Sequence, residues 1–299
     1  LRRAVELNSN DADAQQLLGK SLQEQGELGE AKNAYGFALS IRPMHIPSLI
    51  GLASIALEED QNRSAEDYAT RATELDPNNV EANILLAEAY LRNGNANSAY
   101  VQLLSARRLE PMNPSLLLLL GKAAYERRMY ADAHEALEAS RTLGSSTDDL
   151  YCYLGLTDLA LGDVLEAEKH FRLAIYKNSE SERAWKGLCE TYMKEKKWSE
   201  AAEAIGKALS SNPDDPEAML DEAIVNMNSG DLGAATRTLE SLYLRSDAPQ
   251  ITGYYLGFAY IRMGKKSEAK VALQRFAGTW EGDKTLAEEA REIANSLIP

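Results

Sequence analysis

Residues 82–111 read ANILLAEAYLRNGNANSAYVQLLSARRLEP, and the stretch parses by period alone. Leu86, Ala87 and Tyr90 stand at the spacing that places side chains on one face of a helix. Gly94 then supplies a residue that accepts the left-handed backbone at which helices end. A second run with Ala99, Leu103 and Ala106 follows, closed by Pro111, which cannot continue a helix. The stretch predicts two antiparallel helices joined by a tight turn.

The same pattern recurs in both directions at a step of 34 residues. Gly19, Ala53, Ala87, Gly121, Gly155, Cys189, Ala223 and Gly257 form one in-register series of small residues. Ala31, Ala65, Ala99, Ala133, Ala167, Ala201, Ala235 and Ala269 form a second, alanine throughout. Leucine precedes the first series everywhere except at Glu222. The turn is placed at Gly26, Gly94, Gly162, Gly230 and Gly264, and at Asp60, Arg128 and Lys196 in the other units. A single helix pair cannot bury its apolar face alone, so the pairs must stack.

This pattern resembles the tetratricopeptide repeat family. Leu86-Ala87, Tyr90, Gly94, Ala99, Leu103, Ala106 and Pro111 carry the likeness in the third unit. Trp185, Leu188, Tyr192, Ala201, Ala208 and Pro213 carry it in the sixth. The resemblance implies an all-α, right-handed superhelical solenoid of antiparallel helix pairs. Residues 12–283 are expected to form eight repeats in a single solenoid. Residues 1–11, with Ala4 and Leu7, are expected to be the tail of a truncated unit, so that the native chain continues N-terminally. Residues 284–299 are expected to be a capping helix carrying Leu286, Ala290, Ile293 and Leu297 on one side. Leu242 and Phe276 replace the small residue found at that place in the six preceding units, and should alter the local spacing. In the seventh unit the apolar set shifts to Met219, Leu220, Ala223, Ile224 and Met227.

Composition and charge narrow the function. The 299 residues are 44% hydrophobic and 26% charged, enough apolar material for a sizeable core. The net charge of -14 argues against reading a nucleic-acid backbone or an anionic membrane surface. The longest aliphatic run, residues 116–120, is far short of a membrane span. His45, His134 and His170 occupy three different repeat places, and no H-E-x-x-H occurs. Gly264-Lys265-Lys266-Ser267 lacks the first glycine of a phosphate loop. Cys152 and Cys189 read as packing residues rather than reactive thiols. No catalytic residue, metal site or cofactor is expected, and the chain is read as a non-enzymatic scaffold.

In the resembled family the first helices line a concave groove that receives segments of partner proteins. The corresponding places here include Leu118, Lys122, Tyr153, Leu156, Lys186, Glu190, Leu220, Ile224, Tyr254, Tyr255 and Phe258. Many are apolar where an ordinary amphipathic helix would be polar, so a partner peptide or amphipathic helix is expected there. Neighbouring first helices could equally bury them. Self-association and attachment to a larger enzyme remain as alternative roles, and Arg127-Arg128, Lys196-Lys197 and Lys265-Lys266 mark a second, basic edge.

Overall fold

The computed structural model describes residues 10–297, which form helices and no strand. The backbone divides into two compact bodies, residues 1–146 and 147–299. The first contains α1 (Ala12–Glu24), α2 (Leu28–Ile41), α3 (Ile46–Glu58), α4 (Asn62–Leu75), α5 (Val80–Arg92), α6 (Ala96–Leu109), α7 (Pro114–Glu126) and α8 (Tyr130–Thr142). The second contains α9 (Asp148–Leu161), α10 (Val164–Lys177), α11 (Glu182–Lys194), α12 (Trp198–Ser211), α13 (Pro216–Ser229), α14 (Leu232–Tyr243), α15 (Thr252–Arg262), α16 (Lys266–Thr279) and α17 (Lys284–Ser296). Within each body the odd-numbered helices from α1 to α15 are first helices of a pair and the even-numbered ones second helices. The result is an all-α helical-repeat solenoid.

The turns form as the sequence implies. Gly26, Gly94, Gly162, Gly230 and Gly264 adopt positive φ, and so do Asp60, Arg128 and Lys196, at φ 56°, 60° and 59°. All eight alanines of the second small-residue series are 0% exposed, so each second helix meets its neighbours at alanine distance. Glycine in the first series serves the same closeness. A Cβ at Gly121 would lie 2.5 Å from Leu137, and one at Gly257 would lie 2.5 Å from Leu273.

Ala4 and Leu7 lie outside the described residues. Asp11 caps α1 by accepting from the Asp13 and Ala14 amides at 3.0 and 3.1 Å. In α13, Leu220, Ala223, Val225 and Met227 are buried while Glu222 and Asn226 are half-buried, which fits a stripe rotated around that helix. Leu242 is fully buried, and α14 ends one residue later at Tyr243. The longer connection 244–251 then leads into α15, so the bulkier residue is absorbed by a shortened helix and a lengthened loop. Phe276 is also buried, its ring packed at a tilt against Tyr254 and Trp280 with centroids 5.4 and 5.1 Å away. On this cluster sits α17, with Ala287, Ala290 and Ala294 buried and Leu286, Ile293 and Leu297 packed around them.

Candidate functional site

One repeat place decides where the first-helix face opens. Reading every 34 residues, it holds Leu17, Gly51, Leu85, Leu119, Tyr153, Gly187, Asp221 and Tyr255. Sixteen residues before each glycine stands an aromatic ring, Tyr35 before Gly51 and Phe171 before Gly187. Both rings are buried, at 2% and 0% exposure. A Cβ at Gly51 would lie 2.3 Å from the Tyr35 ring, and one at Gly187 would lie 2.2 Å from the Phe171 ring. The ring fills the space from behind, so the first helix can carry no side chain there. Each body therefore has a hollow on its first-helix face where the adjacent units carry a side chain, Leu17 and Leu85 beside Gly51 and Tyr153 and Asp221 beside Gly187.

The hollow of the first body, of about 430 Å³, is lined by Lys20, Ile46, Pro47, Ile50, Ser54 and Glu81 among others. Gln23 reaches into it, donating to Ser54 Oγ at 3.1 Å and Glu58 at 2.7 Å while accepting from the Tyr35 hydroxyl at 3.2 Å. The hollow of the second body is larger, about 760 Å³, and uses equivalent places four repeats on: Leu156, Glu182, Arg183, Lys186, Glu190 and Glu217. Leu220, Asp221 and Pro249 complete its wall. Pro249 comes from the lengthened α14–α15 connection, so the departure at Leu242 also shapes this site.

The charges of the second hollow are unevenly satisfied. Lys186 Nζ lies 2.7 Å from Asp215, 3.2 Å from Glu217 and 4.0 Å from Glu182. Burial would lower the Lys186 pKa, but Asp215 and Glu217 more than offset it and hold the ammonium above its usual range. Asp215 is likewise held low: burial works against it, and the Lys186 ammonium and the Glu217 amide outweigh burial. Arg183 pairs with Asp149 at 3.2 Å and lies 5.2 Å over the Tyr153 ring. Glu190 pairs along its own helix with Lys194 at 3.4 Å. Asp221 makes no hydrogen bond or ion pair among the described residues. Burial pushes its carboxyl up to about 6; Lys186 opposes the shift, and Glu190, Glu217 and Asp215 add to it.

That shift has a definite sign in stability. Because the folded chain takes up the Asp221 proton more readily than the unfolded chain, stability from this group falls as pH rises from about 4 to about 6. Above that window the ionised carboxylate is a standing cost. Asp221→Asn should therefore stabilise the second body by about 1–2 kcal/mol at pH 7.5 and by clearly less at pH 4.5. Urea titrations at both pH values check this, and equal gains at the two would contradict it.

Of the groove residues read from sequence, Leu156, Lys186, Glu190 and Leu220 are brought together around the second hollow. Tyr153 is buried beneath Arg183. Ile224, Tyr255 and Phe258 are half-buried against the core formed by Leu220, Ala223 and Leu256. Tyr254 packs on Phe258 at 4.7 Å, and its hydroxyl donates to Glu289 of α17 at 3.4 Å. Tyr254 and Phe258 thus hold the last helix. Leu118 and Lys122 lie half-buried on α7 of the first body, outside its hollow. The large apolar side chains most open to solvent sit on second helices or at their ends, among them Phe37, Val101, Leu165, Tyr176 and Leu244. Gly51 and Gly187 are the residues that motif reading passes over; their signal is the aromatic sixteen places earlier.

The other candidate groups are engaged. His45 bonds Ser48 at 2.8 Å and Asp13 at 2.9 Å, and His170 bonds Asp158 at 2.6 Å. Burial pushes the Cys152 and Cys189 thiols up to about 11 and about 12, leaving them protonated at neutral pH. At the basic edge Lys197 and Lys265 lie over tyrosine rings of their own units, Tyr192 and Tyr260, and Arg127 over Tyr100 of the preceding unit. No described helix is long and apolar enough to cross a membrane.

Comparison with known proteins agrees with the fold. Tetratricopeptide repeat models match residues 118–184, 189–251 and 158–218, and the model for anaphase-promoting complex, cyclosome, subunit 3 matches residues 58–140. Over residues 118–251 the chain is thus a tetratricopeptide repeat protein by sequence as well as by fold. The peroxisomal targeting signal receptor of Komagataella phaffii is 32% identical over 95 residues, which are 31% of this chain and 16% of the receptor. That of Saccharomyces cerevisiae is 24% identical over 222 residues, 71% of this chain and 36% of the receptor. The chain spans well under half the length of the curated relatives it matches. Among solved structures, the APC/C hetero-tetramer Cut9-Hcn1 superposes with TM-score 0.70 at 23% identity, covering 85% of this chain and 50% of that one. A tetratricopeptide repeat protein from Parabacteroides merdae gives 0.61 at 17% identity, covering 84% and 99%. At these identities the likeness describes the fold alone.

Proposed function

We propose that the chain is a non-catalytic scaffold that captures a segment of a partner protein on the first-helix face of its second body, anchored in the hollow beside Gly187. The observation that carries this reading is the hollow itself: about 760 Å³ with a leucine and proline wall and a charged rim, on the face where repeat neighbours fill the same place. The half-buried apolar residues beside it offer a helix or extended segment a surface without leaving a bare hydrophobic patch in the unbound chain. The engaged histidines and the high thiol pKa values support binding rather than catalysis as the activity.

Selection of a random 12-residue displayed peptide library on the whole chain tests the reading. The place of Leu156 and Glu190 is occupied by Lys20 and Lys122 in other units, so Leu156→Lys and Glu190→Lys are substitutions the repeat accommodates. Together they should weaken the selected peptides at least tenfold with helical content unchanged. Unchanged affinity would remove the hollow from the site.

A further inference from the structure

We infer, resting on the capture reading above, that the second-body hollow receives a lysine or arginine side chain of the partner segment, with apolar residues beside it. The chemistry follows from which charges are already used. Arg183 and Lys186 are committed to Asp149, Asp215 and Glu217. Glu190 is paired with Lys194 and Glu182 lies 4.0 Å from Lys186, so Asp221 alone is left in the wall with no cationic partner in bonding distance. A cation entering there would gain a charge-assisted hydrogen bond that the unbound chain does not satisfy. The aliphatic stem of a lysine or arginine matches Leu156, Leu220 and Pro249, since such side chains lie along apolar surface and keep the charged end polar.

The first body shows that this acidity is not demanded by the repeat. At the places of Glu182, Glu190, Asp215 and Asp221 it carries Ile46, Ser54, Asn79 and Leu85. The two hollows share a glycine backed by a buried aromatic ring, and the acid at Glu81 and Glu217, but the four other acids belong to the second hollow alone and are a property of that site rather than of the architecture.

The peptide selection decides the matter when wild type and Asp221→Leu are run side by side. Asp221→Leu copies Leu85, and circular dichroism with a thermal melt verifies its fold. Wild type should enrich lysine or arginine at one position beside an apolar residue. The leading peptide should lose about tenfold in affinity when that residue becomes norleucine, and about tenfold against Asp221→Leu. The two losses should not add, because they remove the same contact. Enrichment of neutral or acidic peptides, or strictly additive losses, would overturn the inference while leaving capture in the hollow standing. A selection yielding no peptide sensitive to Leu156→Lys and Glu190→Lys would overturn both.

Discussion

Gly187→Leu is expected to destabilise the second body by about 3 kcal/mol, although leucine is the better helix former by nearly 1 kcal/mol. The reason is the Phe171 ring, which would lie 2.2 Å from the new Cβ and is fully buried, so it has nowhere to turn. The repeat also supplies the rescue. Where the preceding second helix carries Leu103 instead of an aromatic, the corresponding first-helix place carries Leu119. Phe171→Leu combined with Gly187→Leu should therefore recover most of the loss, with a coupling of about 2 kcal/mol or more between the two sites. All three tryptophans, Trp185, Trp198 and Trp280, belong to the second body, so their fluorescence in a denaturant titration reports this body directly. A neutral Gly187→Leu would show that the ring does not fill the gap. The rescued double variant also fills the hollow, so it should fold yet fail to capture the selected peptides.

Charging the aromatic pair beneath the last helix is the second large effect. Tyr254 and Phe258 pack with Phe276 and Trp280 against the face of α17 that carries Ala287, Ala290 and Ala294. Tyr254→Glu with Phe258→Glu would leave two carboxylates in an apolar contact, with Glu289 already beside Tyr254. About 3–4 kcal/mol of local stability should be lost, and α17 should detach. Amide exchange over residues 284–296 should quicken strongly, Trp280 fluorescence should change, and the exchange of α9 and α10 should stay as it was. Unchanged exchange in α17 would mean that these rings do not hold it.

Much of the fold is legible in the chain because its period is strict. Eight alanines at one step specify where helices touch, and the positive φ of Asp60, Arg128 and Lys196 follows from their place between two helical stripes even though none is glycine. The site is less legible because it depends on absences and on pairs. The apolar groove places of α13 and α15 look exposed on a helical wheel, yet Leu220 is buried and Ile224, Tyr255 and Phe258 are half-buried by neighbouring packing. The hollow arises from the relation between Phe171 and Gly187, which no single-position motif expresses. Its acidity becomes visible only when Asp221 and Glu190 are set against Leu85 and Ser54 four repeats earlier.

Photo-crosslinking locates the captured segment on the molecule. A benzophenone side chain placed at Leu156, in the wall of the hollow, is compared with one at Tyr176, a side chain 83% exposed on a second helix of the same body. With a selected peptide bound to the whole chain, residue 156 should crosslink to it and residue 176 should not. Crosslinking from 176 but not from 156 would place capture on the second-helix face and contradict binding in the hollow.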